Sequence, residues 1–164
     1  MKIISEELKN QLRIILNEIS LRQFNEILFG IKSGVDISVY ADTKYDRQQM
    51  QQIRFGLESG IDVTVYANPQ YDADQMAEIR WGIENGVDVS IYADPKFDSD
   101  QMQEIRFGLE RGLDVSIYAN PKFNSDQMQE IRFGLESCVD ASLYADPKYN
   151  WKKMRESRIR LTLK

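Results

Sequence analysis

The chain repeats itself every 26 residues. Methionine, arginine and tyrosine all recur at this spacing: Met50, Met76, Met102, Met128 and Met154; Arg54, Arg80, Arg106, Arg132 and Arg158; Tyr40, Tyr66, Tyr92, Tyr118 and Tyr144. A fixed period of about 20–50 residues is typical of a solenoid, in which each unit buries its apolar face against its neighbours. We therefore predict one domain with repeats at 20–45, 46–71, 72–97, 98–123 and 124–149, a cap helix at 1–19 and a basic cap helix at 150–164.

Each repeat begins with a segment that has the pattern of a capped helix. In the third repeat Asp72 is a suitable N-cap, and Gln75, three residues later, completes a capping box. Met76 and Ile83 belong to one apolar stripe, and Gly86 follows the last helical residue, where a left-handed conformation is common. A further glycine lies inside each helix, at a cost of about 1 kcal/mol, which predicts close helix–helix contact.

The second element of each repeat allows two interpretations. Residues 87–95 alternate apolar and polar side chains, as a short strand does, and a strand plus a helix would give an α/β horseshoe-like solenoid with short parallel strands. Alternatively, Asp88 caps a short helix from Val89 to Ala93, and Pro95 prevents its extension.

Composition argues against an enzyme. The chain has no histidine and a single cysteine, Cys138, so Ser–His and Cys–His nucleophile pairs and most zinc sites are excluded. Acidic residues recur in every repeat, whereas a catalytic site is singular. We therefore expect no enzymatic activity, no cofactor and no metal. The single cysteine indicates a reducing compartment, for which we predict the cytoplasm, and no apolar run is long enough to span a membrane.

The repeat resembles one found in proteins of bacterial mobile elements, especially Gram-positive ones. Residues 98–119 show its pattern, QM-x-EIR-x-GLE-x-G followed by DVS-x-YA, and the resemblance covers 46–149 closely and 20–45 loosely. Related repeats carry about one more helical turn in the second element, which favours an all-α solenoid of short helix pairs. The resemblance also implies a non-enzymatic role in conflict between element and host, including inhibition of a defence protein such as a CRISPR-type effector.

Charge is unevenly distributed along the chain. Residues 46–149 carry 9 basic and 19 acidic groups, whereas 150–164 carry six basic groups and one acidic group, within a total of −5. The acidic repeats are either a solvated surface or a surface for a partner protein with a basic groove, for example a nucleic-acid enzyme. The basic charge of residues 150–164 predicts that this helix contacts a second copy of the chain in a homodimer. The alternative function for the same helix is association with nucleic acid. The residues concerned are Lys152, Lys153, Arg155, Arg158 and Arg160. General nucleic-acid binding is disfavoured because phosphate groups require a basic surface.

A row of aromatic residues lies on nearly the opposite side of each helix from the apolar stripe. These side chains either pack between repeats or anchor a partner. The predicted partner-binding residues are Phe55, Trp81, Phe107, Phe133, Asp74, Glu78, Asp100, Glu104, Asp126 and Glu130.

An arginine precedes a glutamate by four residues in four repeats, as in Arg132/Glu136. This order is the weaker orientation on a helix, and it places the glutamate near the C-terminus, where the dipole disfavours it. We therefore predict that each arginine also reaches a carboxylate or carbonyl group of an adjoining repeat.

Overall fold

A computed structural model describes residues 18–163, and every regular element in this range is helical. The α-helices are α1 (Leu21–Ser33), α2 (Arg47–Glu58), α3 (Ala73–Glu84), α4 (Ser99–Glu110), α5 (Ser125–Glu136) and α6 (Trp151–Thr162). Short 3-10 helices follow the first five: η1 (Ile37–Val39), η2 (Val63–Val65), η3 (Val89–Ile91), η4 (Val115–Ile117) and η5 (Ala141–Leu143). The all-α prediction is confirmed, and the alternative with parallel strands is wrong, since residues 18–163 contain no strand.

The chain divides into two compact units, Met1–Met76 and Ala77–Lys164, and the division falls inside α3. In the first unit α1 packs on α2, and in the second α4 packs on α5 and α5 on α6. The predicted cap helix at 1–19 falls almost entirely outside the described residues, whereas the predicted C-terminal cap is α6.

The helices begin at the predicted caps. In the second unit Asp98 Oδ1 accepts the Gln101 N–H at 2.8 Å, and Gln101 Oε1 accepts the Asp98 N–H at 2.8 Å. The same reciprocal pair of hydrogen bonds begins α1, α2 and α5. Gln101 Nε2 also donates to the Phe123 carbonyl in the loop before α5. The capping glutamine therefore fixes both the start of its own helix and the loop that leads into the next repeat.

The second element is a single 3-10 turn, shorter than the predicted helix from Val89 to Ala93. The predicted cap is correct: Asp88 Oδ1 accepts the Ser90 N–H at 3.0 Å and the Ser90 hydroxyl at 2.6 Å. Helical geometry ends at Tyr92, whose φ of −132° turns the chain into the loop that precedes the next helix.

The glycine inside each helix accommodates a tyrosine from the same repeat. Tyr118 is fully buried, and its hydroxyl donates to the Glu104 carbonyl at 3.1 Å. A Cβ atom on Gly108 would lie 2.0 Å from that hydroxyl oxygen. The predicted contact between two helices is also present, since the same Cβ would lie 2.8 Å from Val115 Cγ1 in η4, but the prediction did not include the tyrosine. The missing side chain makes room for a ring that follows η4.

These buried tyrosines predict cooperative unfolding at alkaline pH. Burial raises the pKa of Tyr40 and of Tyr144 to about 12, and it also raises the pKa of Tyr92 and of Tyr118. A tyrosine in the unfolded chain ionises near pH 10. The stability that these groups contribute is therefore fully present below about pH 10 and is lost as the pH rises through about 12. Tyrosinate absorbance and circular dichroism, measured together, should change in one transition. Ionisation of all eight tyrosines near pH 10 with no loss of helix would contradict this.

Cys138 occupies the position where earlier repeats have glycine, and its backbone is left-handed, with φ of 55°. Gly112, one repeat earlier, has φ of 68°. A left-handed conformation costs a residue with a side chain about 1–2 kcal/mol, partly offset by the greater freedom of glycine in the unfolded chain. We therefore expect Cys138→Gly to raise the free energy of unfolding by about 0.5–1 kcal/mol in urea denaturation. Gly112→Ala is the matched opposite change and should lower the free energy of unfolding. If both variants are as stable as the parent protein, the left-handed backbone at Cys138 is not strained.

Candidate functional site

A ladder of buried ion pairs links successive helices of the second unit. Arg132 Nε donates to Glu104 Oε2 in the preceding repeat at 2.8 Å, and Arg132 Nη1 donates to Glu136 Oε1 on its own helix at 2.6 Å. One repeat earlier, Arg106 makes the equivalent bonds to Glu78 at 2.8 Å and to Glu110 at 2.6 Å. The final rung joins Arg158 Nε to Glu130 Oε2 at 2.9 Å.

The first unit contains the same arrangement. Arg54 Nη2 donates to Glu26 Oε2 at 3.1 Å and Nη1 to Glu58 Oε1 at 2.7 Å. Arg47 Nε adds a bond to Glu26 Oε1 at 3.0 Å. The predicted contact between each arginine and an adjoining repeat is thus confirmed for Arg54, Arg106 and Arg132, and Arg158, which has no glutamate four residues later, makes the same contact with Glu130. It explains the unfavourable order on the helix, since one guanidinium must serve two carboxylates.

The charges of the ladder are stabilised by one another. Burial alone would lower the pKa of Arg106, but its hydrogen bonds with Glu78 and Glu110 outweigh burial and raise this pKa. Burial raises the pKa of Glu78, against the opposing effect of Arg106. Burial also favours a raised pKa at Glu110, but there the bonds with Arg106 and Asn85 prevail and the pKa is lowered. The pKa values of Arg54 and Arg132 are raised in the same way, so these three arginines stay charged between two carboxylates.

The aromatic row alternates with these guanidinium groups. Arg106 Cζ lies 5.6 Å from the ring centre of Trp81 and 4.6 Å from that of Phe107. Arg132 Cζ lies 5.5 Å from Phe107 and 4.7 Å from Phe133. Trp81 remains 40% exposed, and the two phenylalanines are half-buried. Each ring contacts arginine side chains and is still partly exposed to solvent. Both interpretations of the aromatic row, packing between repeats and anchoring of a partner, are therefore compatible with this arrangement.

Acidic residues flank the aromatic row on both sides. On α4, Asp100 and Glu110 lie seven residues before and three residues after Phe107, which places all three on one side of the helix. Asp126 and Glu136 flank Phe133 in the same way. We call this surface the aromatic–acidic face; its residues are Trp81, Glu84, Asp100, Phe107, Glu110, Asp126, Phe133 and Glu136. The two aspartates are exposed, and the three glutamate side chains are 23–27% accessible and paired with arginine.

The other predicted partner-binding residues lie elsewhere. Glu78, Glu104 and Glu130 are buried rungs of the ladder. Asp74 is exposed in the first unit, and Phe55 is half-buried there, 4.6 Å from Arg54 Cζ. The prediction omitted Glu84, Glu110 and Glu136, although their recurrence four residues after an arginine was visible in the sequence.

The basic residues of α6 separate into two groups. Lys152, Lys153, Arg155 and Arg160 are exposed, whereas Arg158 is half-buried against Glu130. Across residues 18–163 no group of three or more Cys, Asp or Glu side chains is placed to hold a metal ion. None of the helices in this range has the length and apolar character needed to cross a bilayer.

Comparisons with protein-family models, with curated proteins and with solved structures find no match to this chain.

Proposed function

We propose that this protein is a non-enzymatic binding protein whose aromatic–acidic face contacts a partner protein with a basic surface. The observation that carries the proposal is the arrangement of the face: aromatic rings in the centre, carboxylates along both edges, and arginines beneath that are already paired. Protein interfaces commonly have an aromatic centre surrounded by a polar rim. The ladder beneath supports this role, because it holds each ring between guanidinium groups before any partner arrives, and a pre-organised surface loses less entropy on binding.

The chemistry of the partner follows from the charge of the face. Within each complete repeat of the second unit the buried arginine is balanced by the buried glutamate of the preceding repeat, so the exposed glutamate and aspartate leave a net negative surface. Such a surface attracts lysine- and arginine-rich proteins and repels nucleic acid. The resemblance to mobile-element repeats extends the proposal to inhibition of a host defence protein, such as a CRISPR-type effector, in the cytoplasm of a bacterial cell.

The test is affinity capture from an extract of the bacterium that carries the gene, followed by reconstitution of the complex from purified components. We expect the wild type and a loop variant, K96E/K122E, to bind the same protein. A face variant, D100K/D126K, should bind it at least about tenfold more weakly, because two carboxylates are replaced by repelling charges. Equal affinity of the face variant would refute the proposed surface.

A second candidate function is association with nucleic acid through the four exposed basic residues of α6. An electrophoretic mobility shift over a salt series separates the two candidates. Binding through phosphate contacts must weaken steeply as salt rises, and it should be lost in K152E/K153E but retained in D100K/D126K.

A further inference from the structure

The outer side of α6 has an apolar centre and basic edges. At about 100° per residue, Lys152, Ile159 and Leu163 lie along one line of the helix. Ile159 is 44% exposed and Leu163 is 82% exposed. Arg155 lies on one side of this line, and Arg160 and Lys153 lie on the other. The opposite side of α6 carries the buried Met154 and Arg158, which face α5.

One acidic residue, Glu156, interrupts this basic side. It occupies the position that supplies the ladder carboxylate in four earlier repeats, as Glu26, Glu78, Glu104 and Glu130, whereas the second repeat has Gln52 there. Lys152 and Arg160 are the i−4 and i+4 neighbours of Glu156, close enough on a helix to offset its charge. The exposed basic residues Lys152, Lys153, Arg155 and Arg160 therefore leave this side with a net charge of about +3 once Glu156 is subtracted.

This side of α6 complements the aromatic–acidic face of the same unit. One surface has apolar side chains between basic edges, and the other has aromatic rings between acidic edges. The sizes also agree: a helix of 12 residues is about 18 Å long. Three aromatic residues on successive packed helices span about 16–20 Å, because neighbouring helix axes lie 8–10 Å apart.

We propose that two copies of this chain form a two-fold dimer in which α6 of each copy lies on the aromatic–acidic face of the other. A two-fold arrangement makes this contact twice with one pair of surfaces. It also explains why α6 is basic whereas the repeats over residues 46–149 are acidic. The inference rests on the proposed function in one respect: the dimer covers the surface offered to the partner, so self-association and partner binding compete.

Charge reversal with sedimentation equilibrium tests the dimer on the full chain. At about 50 mM salt we expect the wild type to dimerise and R155E/R160E and D100K/D126K each to raise the dissociation constant at least about tenfold. The conservative variant R155K/R160K keeps the charges and should dimerise like the wild type. Circular dichroism of each variant establishes that the helices are intact.

An equal mixture of the two reversed variants is the decisive sample. Each contact in the mixed dimer pairs either two native surfaces or two reversed surfaces, so the opposite charges are restored and a dimer should reappear. A wild type that stays monomeric at about 100 μM, reversals without effect, or a mixture that stays monomeric would each overturn the proposed dimer. A wild type that binds the partner protein but does not dimerise refutes only this inference, whereas a wild type that dimerises as described but binds no partner protein refutes only the proposed function.

Discussion

Replacing Arg132 with leucine should lower the free energy of unfolding by about 3–5 kcal/mol. The guanidinium is buried and bonds to Glu104 at 2.8 Å and Glu136 at 2.6 Å. Its removal leaves the carboxylate of Glu104 buried without its partner cation, and an uncompensated buried charge has a cost of this size. Urea denaturation followed by circular dichroism measures the loss.

Two further variants distinguish an unpaired charge from a general effect of losing arginine. Arg111→Leu removes an arginine whose side chain is 49% accessible. Its Nε atom lies 3.1 Å from Oε1 of the same Glu136. This change should cost less than about 1 kcal/mol, as exposed ion pairs do. The double variant with Glu104→Leu and Arg132→Leu also removes the buried, unpaired carboxylate of Glu104. It should therefore recover part of the free energy of unfolding that Arg132→Leu loses. If Arg132→Leu and Arg111→Leu lower the free energy of unfolding by the same amount, the buried ion pairs of the ladder stabilise the fold no more than an exposed ion pair does.

Gly108→Ala should lower the free energy of unfolding by about 1–3 kcal/mol, although alanine normally stabilises a helix. The new Cβ would lie 2.0 Å from the Tyr118 hydroxyl oxygen and 2.8 Å from Val115 Cγ1. Tyr118 would have to move and lose its bond to the Glu104 carbonyl. Overpacking costs about 1–3 kcal/mol and the lost hydrogen bond about 1 kcal/mol, against about 1 kcal/mol gained in helix propensity.

The double variant Gly108→Ala with Tyr118→Phe identifies the contact responsible. Without the hydroxyl the nearest ring atom is Cζ, at 3.2 Å, so part of the clash is relieved. We expect the pair to be less destabilising than the sum of the two single changes, measured as a double-mutant cycle. Strict additivity would mean that the alanine does not meet the tyrosine.

The fold was predictable where its signal is local or periodic. The 26-residue period, the capping boxes and the left-handed glycines act within one repeat, so each could be recognised from short spacing in the sequence. The ladder was predictable for a different reason. An arginine placed before glutamate, in the weaker order, required a second partner, and Glu104 supplies it for Arg132.

What the sequence could not provide was the location of each polar residue relative to the interior. Glu104 and Glu110 are both acidic and lie on one helix, yet Glu104 is a buried rung and Glu110 is exposed. Burial of Glu104 depends on Arg132, 28 residues away on another helix, and no local pattern encodes that contact. For the same reason the contact of Gly108 with Tyr118 was not predicted, because the ring reaches this glycine only after η4 has turned the chain back.

The central claim is that the aromatic–acidic face binds a protein, and site-specific photo-crosslinking tests it most directly. A photoreactive phenylalanine analogue is placed at Phe107 on the face or at Lys122 in the loop before α5, in the cell that carries the gene. We predict a crosslink to one host protein from position 107 and none from position 122. Crosslinks of equal yield from both positions, or none to a host protein from position 107, would contradict the account.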